Sequence, residues 1–133
     1  MSADDDRDLY ENSYRSFIEA LSVLATEPEE ACKRLGNLNV PFETKYDVEA
    51  GLYLFNYVAC PLDTAQRETI VELVDSLKSI PKELLEFTGD PQRSLERLRH
   101  PAWVSPREGA KRLLSMLRPV TEQNELYLWP TGR

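Results

Sequence analysis

Asp63-Thr-Ala-Gln-Arg-Glu-Thr-Ile-Val-Glu-Leu-Val-Asp-Ser-Leu77 carries both halves of a helix signature in one stretch. Asp63 and Gln66 stand three apart, the spacing of a capping box in which each side chain satisfies the other's orphan backbone N–H. Behind them Ile70, Leu73, Val74 and Leu77 recur at three- and four-residue steps, so they share one apolar face. Glu68, Glu72 and Asp75 fall on the opposite, solvent side.

The same reading extends outward in both directions. Upstream, Tyr10, Tyr14, Phe17, Ile18, Leu21 and Leu24 repeat the periodicity and predict a helix from Asp8 to Ala25. Glu11, Arg15 and Glu19 alternate in sign on its outside. Thr26-Glu-Pro-Glu29 reads as a second capping box, opening a short helix that stops near Gly36, a residue that tolerates the positive φ of a helix end. Downstream, Pro81 interrupts the helix begun at Asp63, and Lys82 to Phe87 forms a turn or two. Asp90-Pro91 is an N-cap followed by proline where its missing N–H costs nothing, which places a helix at Pro91–Arg99. Ser105-Pro106-Arg-Glu108 repeats that logic with a full capping box and buries Ala110, Leu113, Leu114 and Leu117 before Pro119.

Two segments read either way. Val48 to Ala59 is apolar on nearly every side. Pro41, Phe42 and Tyr46 open it as a helix of about four turns, buried all round. Its residues also suit a short strand, with Leu126 to Trp129 as partner. The expected fold is all-α, a compact bundle of about five to seven helices, with a two-stranded element as the alternative. Residues 1–7 are expected to be a flexible acidic lead-in and residues 8–133 a single domain. A chain of 133 residues and 15.3 kDa fits one domain. By the usual scaling it buries roughly two-thirds of its unfolded surface.

Charge narrows the function classes. The formal net charge is −7, and it is unevenly spread: residues 1–30 carry nine acids against two bases, residues 91–133 four acids against eight bases. An acidic body repels nucleic acid and anionic membranes and favours a basic partner. No apolar run is long enough to span a bilayer. The start Met-Ser-Ala-Asp-Asp-Asp is the reverse of a signal peptide, so a cytoplasmic chain with reduced, buried Cys32 and Cys60 is expected.

A search for chemistry returns little. One histidine and two remote cysteines give no metal-ligand spacing, and no metal or other cofactor is expected. No glycine-rich phosphate loop is present. Cys32 and Cys60 read as small core residues, and an enzymatic reading would need His100 set beside Cys60 or a buried glutamate. In His100-Pro-Ala-Trp103, His100 is expected to cap the preceding helix C-terminus while Trp103 folds onto the core. The basic residues Arg93, Arg97, Arg107, Lys111 and Arg118 are expected to face the chain's own acids or solvent.

The stretches Leu35-Gly-Asn-Leu-Asn-Val-Pro-Phe42 and Asp47-Val-Glu-Ala-Gly51, then Ile80-Pro81 and His100-Pro-Ala-Trp103, resemble a class of short bacterial helical proteins, the immunity proteins carried beside contact-delivered toxins. The likeness covers Tyr14 to Trp129 in general pattern and assigns no binding residue by position. It implies a non-enzymatic inhibitor that neutralises a cognate toxin by covering its active site or surface. Toxins that attack nucleic acid are basic because their substrate is polyanionic, which an acidic helical surface complements. Predicted exposure makes Asp47, Glu49, Glu68, Glu72 and Asp75 the candidate contacts. The alternative is an adaptor or secretion chaperone working through self-association, with an exposed apolar patch near Tyr53, Tyr57 or Trp129.

Overall fold

A computed structural model describes residues 2–36 and 39–132; Met1, Asn37, Leu38 and Arg133 lie outside the description. Seven α-helices are present among the described residues: α1 (Ala3–Ala25), α2 (Pro28–Leu35), α3 (Val40–Glu49), α4 (Thr64–Leu77), α5 (Pro91–Leu98), α6 (Val104–Met116) and α7 (Arg118–Leu128). Three 3₁₀ segments join them, at Ala50–Asn56, Lys82–Leu84 and Pro101–Trp103. The all-α reading holds, and no strand occurs among the described residues.

Helix α1 is the axis of the bundle. It packs on α6, α3 and α7, while α4 lies on α6 and α2 on α5. Its predicted stripe, Tyr10, Tyr14, Phe17, Ile18, Leu21 and Leu24, is buried throughout and forms one core cluster with Leu54, Ile70, Leu77, Trp103, Leu113 and Leu117. Burial of such side chains, each contributing ~1.5–3 kcal/mol, is what holds the bundle. The Tyr14 hydroxyl also bonds Thr121 Oγ1 at 2.7 Å, fastening α1 to α7. Burial pushes its pKa up to about 12, so it stays a protonated phenol at neutral pH.

The first helix starts earlier than its periodicity predicts. The helix begins at Ala3, not Asp8, because Ser2 Oγ accepts the Asp5 N–H and Asp4, Asp5 and Asp6 fill the first turn, where carboxylates complement the helix dipole. Asp6 also reaches across the fold. Its Oδ2 accepts the Ala59 N–H at 2.8 Å and its Oδ1 the Val58 N–H at 3.4 Å, satisfying backbone donors that follow the first 3₁₀ segment.

Other starts and stops divide by whether the adjoining segment of chain competes. The Asp63–Gln66 capping box forms in both directions, and Ile70, Leu73, Val74 and Leu77 are buried as predicted. Asp90 caps α5 through the Gln92 N–H. Gly36 ends α2 at φ +61°. Thr26, by contrast, closes α1 rather than opening α2, whose N-cap is Glu27 without a side-chain bond. The Ser105 box does not form either, because the Pro101–Trp103 segment runs straight into α6 and places Ser105 inside the helix. His100 works on the other side of its turn from the one expected: Nδ1 accepts the Ala102 N–H at 3.0 Å and so caps the 3₁₀ segment.

The ambiguous segment is helical but broken. α3 passes at Ala50 into the 3₁₀ segment, where Gly51 lies against Phe17 of α1. It is also not buried all round: Phe42, Tyr46 and Tyr53 are exposed. Leu126 to Leu128, the other half of the alternative strand pair, belong to α7.

Glu11 is a further correction. The sign alternation sets it outside with Arg15 and Glu19, yet it is 7% exposed and faces α7. Arg7 Nε approaches its Oε2 at 3.2 Å, and Asn124 Nδ2 donates to its Oε1 at 2.9 Å and to its carbonyl at 2.8 Å. Removing a partner from a buried carboxylate leaves its desolvation uncompensated. Asn124→Ala is therefore expected to lower stability by about 1–2 kcal/mol in urea denaturation. In a Glu11→Ala background the same change should cost clearly less, since the two side chains share one interaction.

Candidate functional site

A concavity of about 1000 Å³ runs between α1 and the α3–3₁₀ unit. Sequence periodicity explains its walls. Residues of α1 that flank the buried stripe, Ser13, Ser16, Ala20 and Ser22, face it from one side, and Thr44, Asp47, Gly51 and Tyr53 from the other. Phe17, Ile18 and Leu54 make the floor apolar.

The charges along this groove are mostly spent. Arg15 pairs with Glu19 at 3.4 Å and Glu125 at 3.3 Å, and lies over the Trp129 ring. Arg34 donates to Ser22 Oγ at 2.8 Å and pairs with Glu30 at 3.6 Å. Asp47 differs: among the described residues it makes no ion pair, and burial raises its pKa above the ordinary aspartate value. One turn back on the same helix, Thr44 is 3% exposed and its Oγ1 has no hydrogen-bond partner among the described residues.

The five candidate contacts fall into two sets. Asp47 lines the groove, whereas Glu49 on the same helix is half-buried and held by Lys45 Nζ at 2.8 Å. Glu68, Glu72 and Asp75 are exposed on α4, opposite its buried stripe, and Asp75 approaches Lys78 at 3.5 Å. No hydrogen bond or ion pair among the described residues joins the α3 set to the α4 set, although the two helices touch.

The exposed patch expected near Tyr53 is present, and the sequence reading missed its extension over Phe42 and Tyr46. Phe42 and Tyr46 stack at 5.9 Å with planes 16° apart, and Tyr46 and Tyr53 are 60% and 68% exposed. The signal was available: Phe42 and Tyr46 are four apart, while Val40, Thr44 and Val48 define the other, buried face of α3. Of the other patch residues considered, Tyr57 is half-buried with its hydroxyl 3.2 Å from Ser13 Oγ, and Trp129 is half-buried beneath Arg15.

The remaining candidates do not converge. Cys60 is buried beside the Tyr10 phenol, Cys32 is half-buried, and neither is bridged. His100 is exposed, with its Nδ1 occupied by the backbone. Among the described residues no group of three or more His, Cys, Asp or Glu is placed to hold a metal ion, and no helix is long and apolar enough to cross a membrane. Of the basic third, Arg97 donates to the Glu86 carbonyl, Arg107 to the Leu98 carbonyl at 3.0 Å, and Lys111 pairs with Glu108 at 3.3 Å. Neighbouring Arg99 pairs with Glu29 of α2, which holds the Glu29 carboxyl below its usual range. No family model, curated protein or solved structure matches this chain.

Proposed function

We propose that this chain is a protein-binding inhibitor of the immunity type, which neutralises a basic toxin domain by covering it with the face built from α3, the following 3₁₀ segment and α4. The observation that carries the reading is the composition of the surface of α3 and the following 3₁₀ segment: the stacked Phe42 and Tyr46, with Tyr53, stand exposed near Asp47, which has no ion pair among the described residues. Tyrosine and other aromatics dominate the energy of protein interfaces because they bury much area at little entropic cost. Glu68, Glu72 and Asp75 on α4 add carboxylates that speed encounter with a basic surface.

The two parts separate kinetically. The chain is used as bait in lysate of its source organism at low and moderate salt, and captured protein is identified by mass spectrometry. Against that partner, Glu68→Gln/Glu72→Gln/Asp75→Asn is expected to slow association roughly ten-fold at low salt and little at high salt, because exposed charges act mainly on encounter. Tyr46→Ala or Tyr53→Ala should mainly speed dissociation. Recovery of no partner at either salt, or of the chain alone, overturns the inhibitor reading. A second reading, an adaptor acting through self-association, is favoured by the same exposed Phe42–Tyr46 stack. It requires a stable dimer in sedimentation that Tyr46→Ala dissociates.

A further inference from the structure

The groove beside that aromatic surface is walled by a buried hydroxyl without a hydrogen-bond partner and an exposed carboxylate without an ion pair, both among the described residues. Thr44 Oγ1 is buried without a partner, and Asp47 is the charged group of the groove lining that has no ion pair among the described residues. Three residues apart on α3, they are neighbours on the helix surface, about 5–6 Å between Cβ atoms. Both accept hydrogen bonds. The two arginines of the lining are already held by Glu19, Glu125 and Glu30, so neither neutralises Asp47. Beneath them the floor is apolar, formed by Phe17, Ile18 and Leu54.

A ligand that fits this arrangement carries a positive charge, several N–H donors in one plane and an apolar stem. We propose that the groove between α1 and α3 is a receptor for an arginine side chain of a bound polypeptide. The guanidinium sits between Asp47 and Thr44 Oγ1, the methylenes lie on the floor, and the Tyr53 ring at the rim is available to stack on the cation. Arginine fits better than lysine because its donors are spread over a rigid fork that reaches two acceptors at once, and because it sheds water more readily. Asp47 stays open to an incoming cation at the groove wall, and partial burial raises its pKa above the ordinary aspartate value. This assignment names the partner chemistry for the inhibitor reading and rests on it for biological context.

The test uses the full chain, isotope-labelled, titrated by NMR with N-acetyl-arginine amide and, in parallel, with N-acetyl-citrulline amide, its uncharged isostere. Saturable shifts are expected at the amides of Thr44, Asp47, Gly51 and Tyr53 with the arginine derivative and none with citrulline. Asp47→Asn should weaken the binding at least ten-fold while leaving the melting temperature unchanged or higher. Thr44→Val should weaken it several-fold and Thr44→Ser restore it, which keeps the test valid if valine disturbs the helix. Equal shifts with citrulline, an unaffected Asp47→Asn variant, or shifts confined to the α4 carboxylates overturn the assignment, and equal binding of N-acetyl-lysine amide overturns the choice of guanidinium. The two readings fail separately. Arginine binding with no captured protein keeps the groove and removes the inhibitor; a captured partner insensitive to Asp47→Asn does the reverse.

Discussion

Trp103→Ala is expected to destabilise the protein by ~3–5 kcal/mol, the usual cost of truncating a fully buried tryptophan. Trp103 is 0% exposed and is the largest of the fully buried side chains. It ends the 3₁₀ segment Pro101–Trp103 and starts α6, so its indole joins the core at the point where the chain turns into the helix that packs on both α1 and α4. A domain of ordinary stability has only ~5–15 kcal/mol in total, so the variant should unfold at a much lower urea concentration. The slope of the transition should be unchanged. Trp103→Phe separates packing from polarity. The indole Nε1–H is buried with no hydrogen-bond partner among the described residues, so phenylalanine removes an unsatisfied donor along with some volume. It should therefore cost less than half of what alanine costs. A loss below ~1 kcal/mol for alanine would mean that the core closes around the gap, and the packing argument fails.

What was legible in the sequence follows from how local each signal is. Asp63 with Gln66, and Asp90 with Pro91, cap their helices as read, because capping uses only residues within one turn. The boxes at Thr26 and Ser105 share the same letters and fail. Thr26 is held by the end of α1, and Ser105 is swept into α6 by the turn before it. Neither competition is visible in four residues. Glu11 failed for a different reason: a glutamate on a helix defaults to solvent, and only the arrival of Asn124 from α7, over a hundred residues later in the chain, makes an interior site for it.

The candidate site was half legible for related reasons. Charge alone pointed to Asp47, Glu68, Glu72 and Asp75, and all four are exposed. Glu49 has the same letter but is engaged by Lys45 one turn back, a pairing that the spacing allowed. Phe42 and Tyr46 were harder, because they open an apolar stretch that reads as buried from either period. Tyr53 follows Tyr46 by seven residues and Phe42 by eleven, so helical spacing sets it on the same exposed side as both.

Gly51→Ala should be the second-largest stability change. A Cβ at this position would lie 2.3 Å from Phe17 Cε1 and 2.5 Å from Cδ1, far inside van der Waals contact. The ring has little room to yield, since Phe17 is itself buried in the core of α1. Overpacking of this kind typically costs ~1–3 kcal/mol, and a clash with a buried ring belongs at the upper end. Phe17→Leu should recover part of the loss, giving a double mutant more stable than the sum of the single changes. The same pair reports on the groove, because Phe17 and Gly51 both line it. If Gly51→Ala pushes the 3₁₀ segment away from α1, Tyr53 moves with it. Partner capture should then fall even at temperatures where the variant is fully folded. A variant that loses stability but captures as the parent does would place the contact on α4 alone and detach the aromatic face from binding.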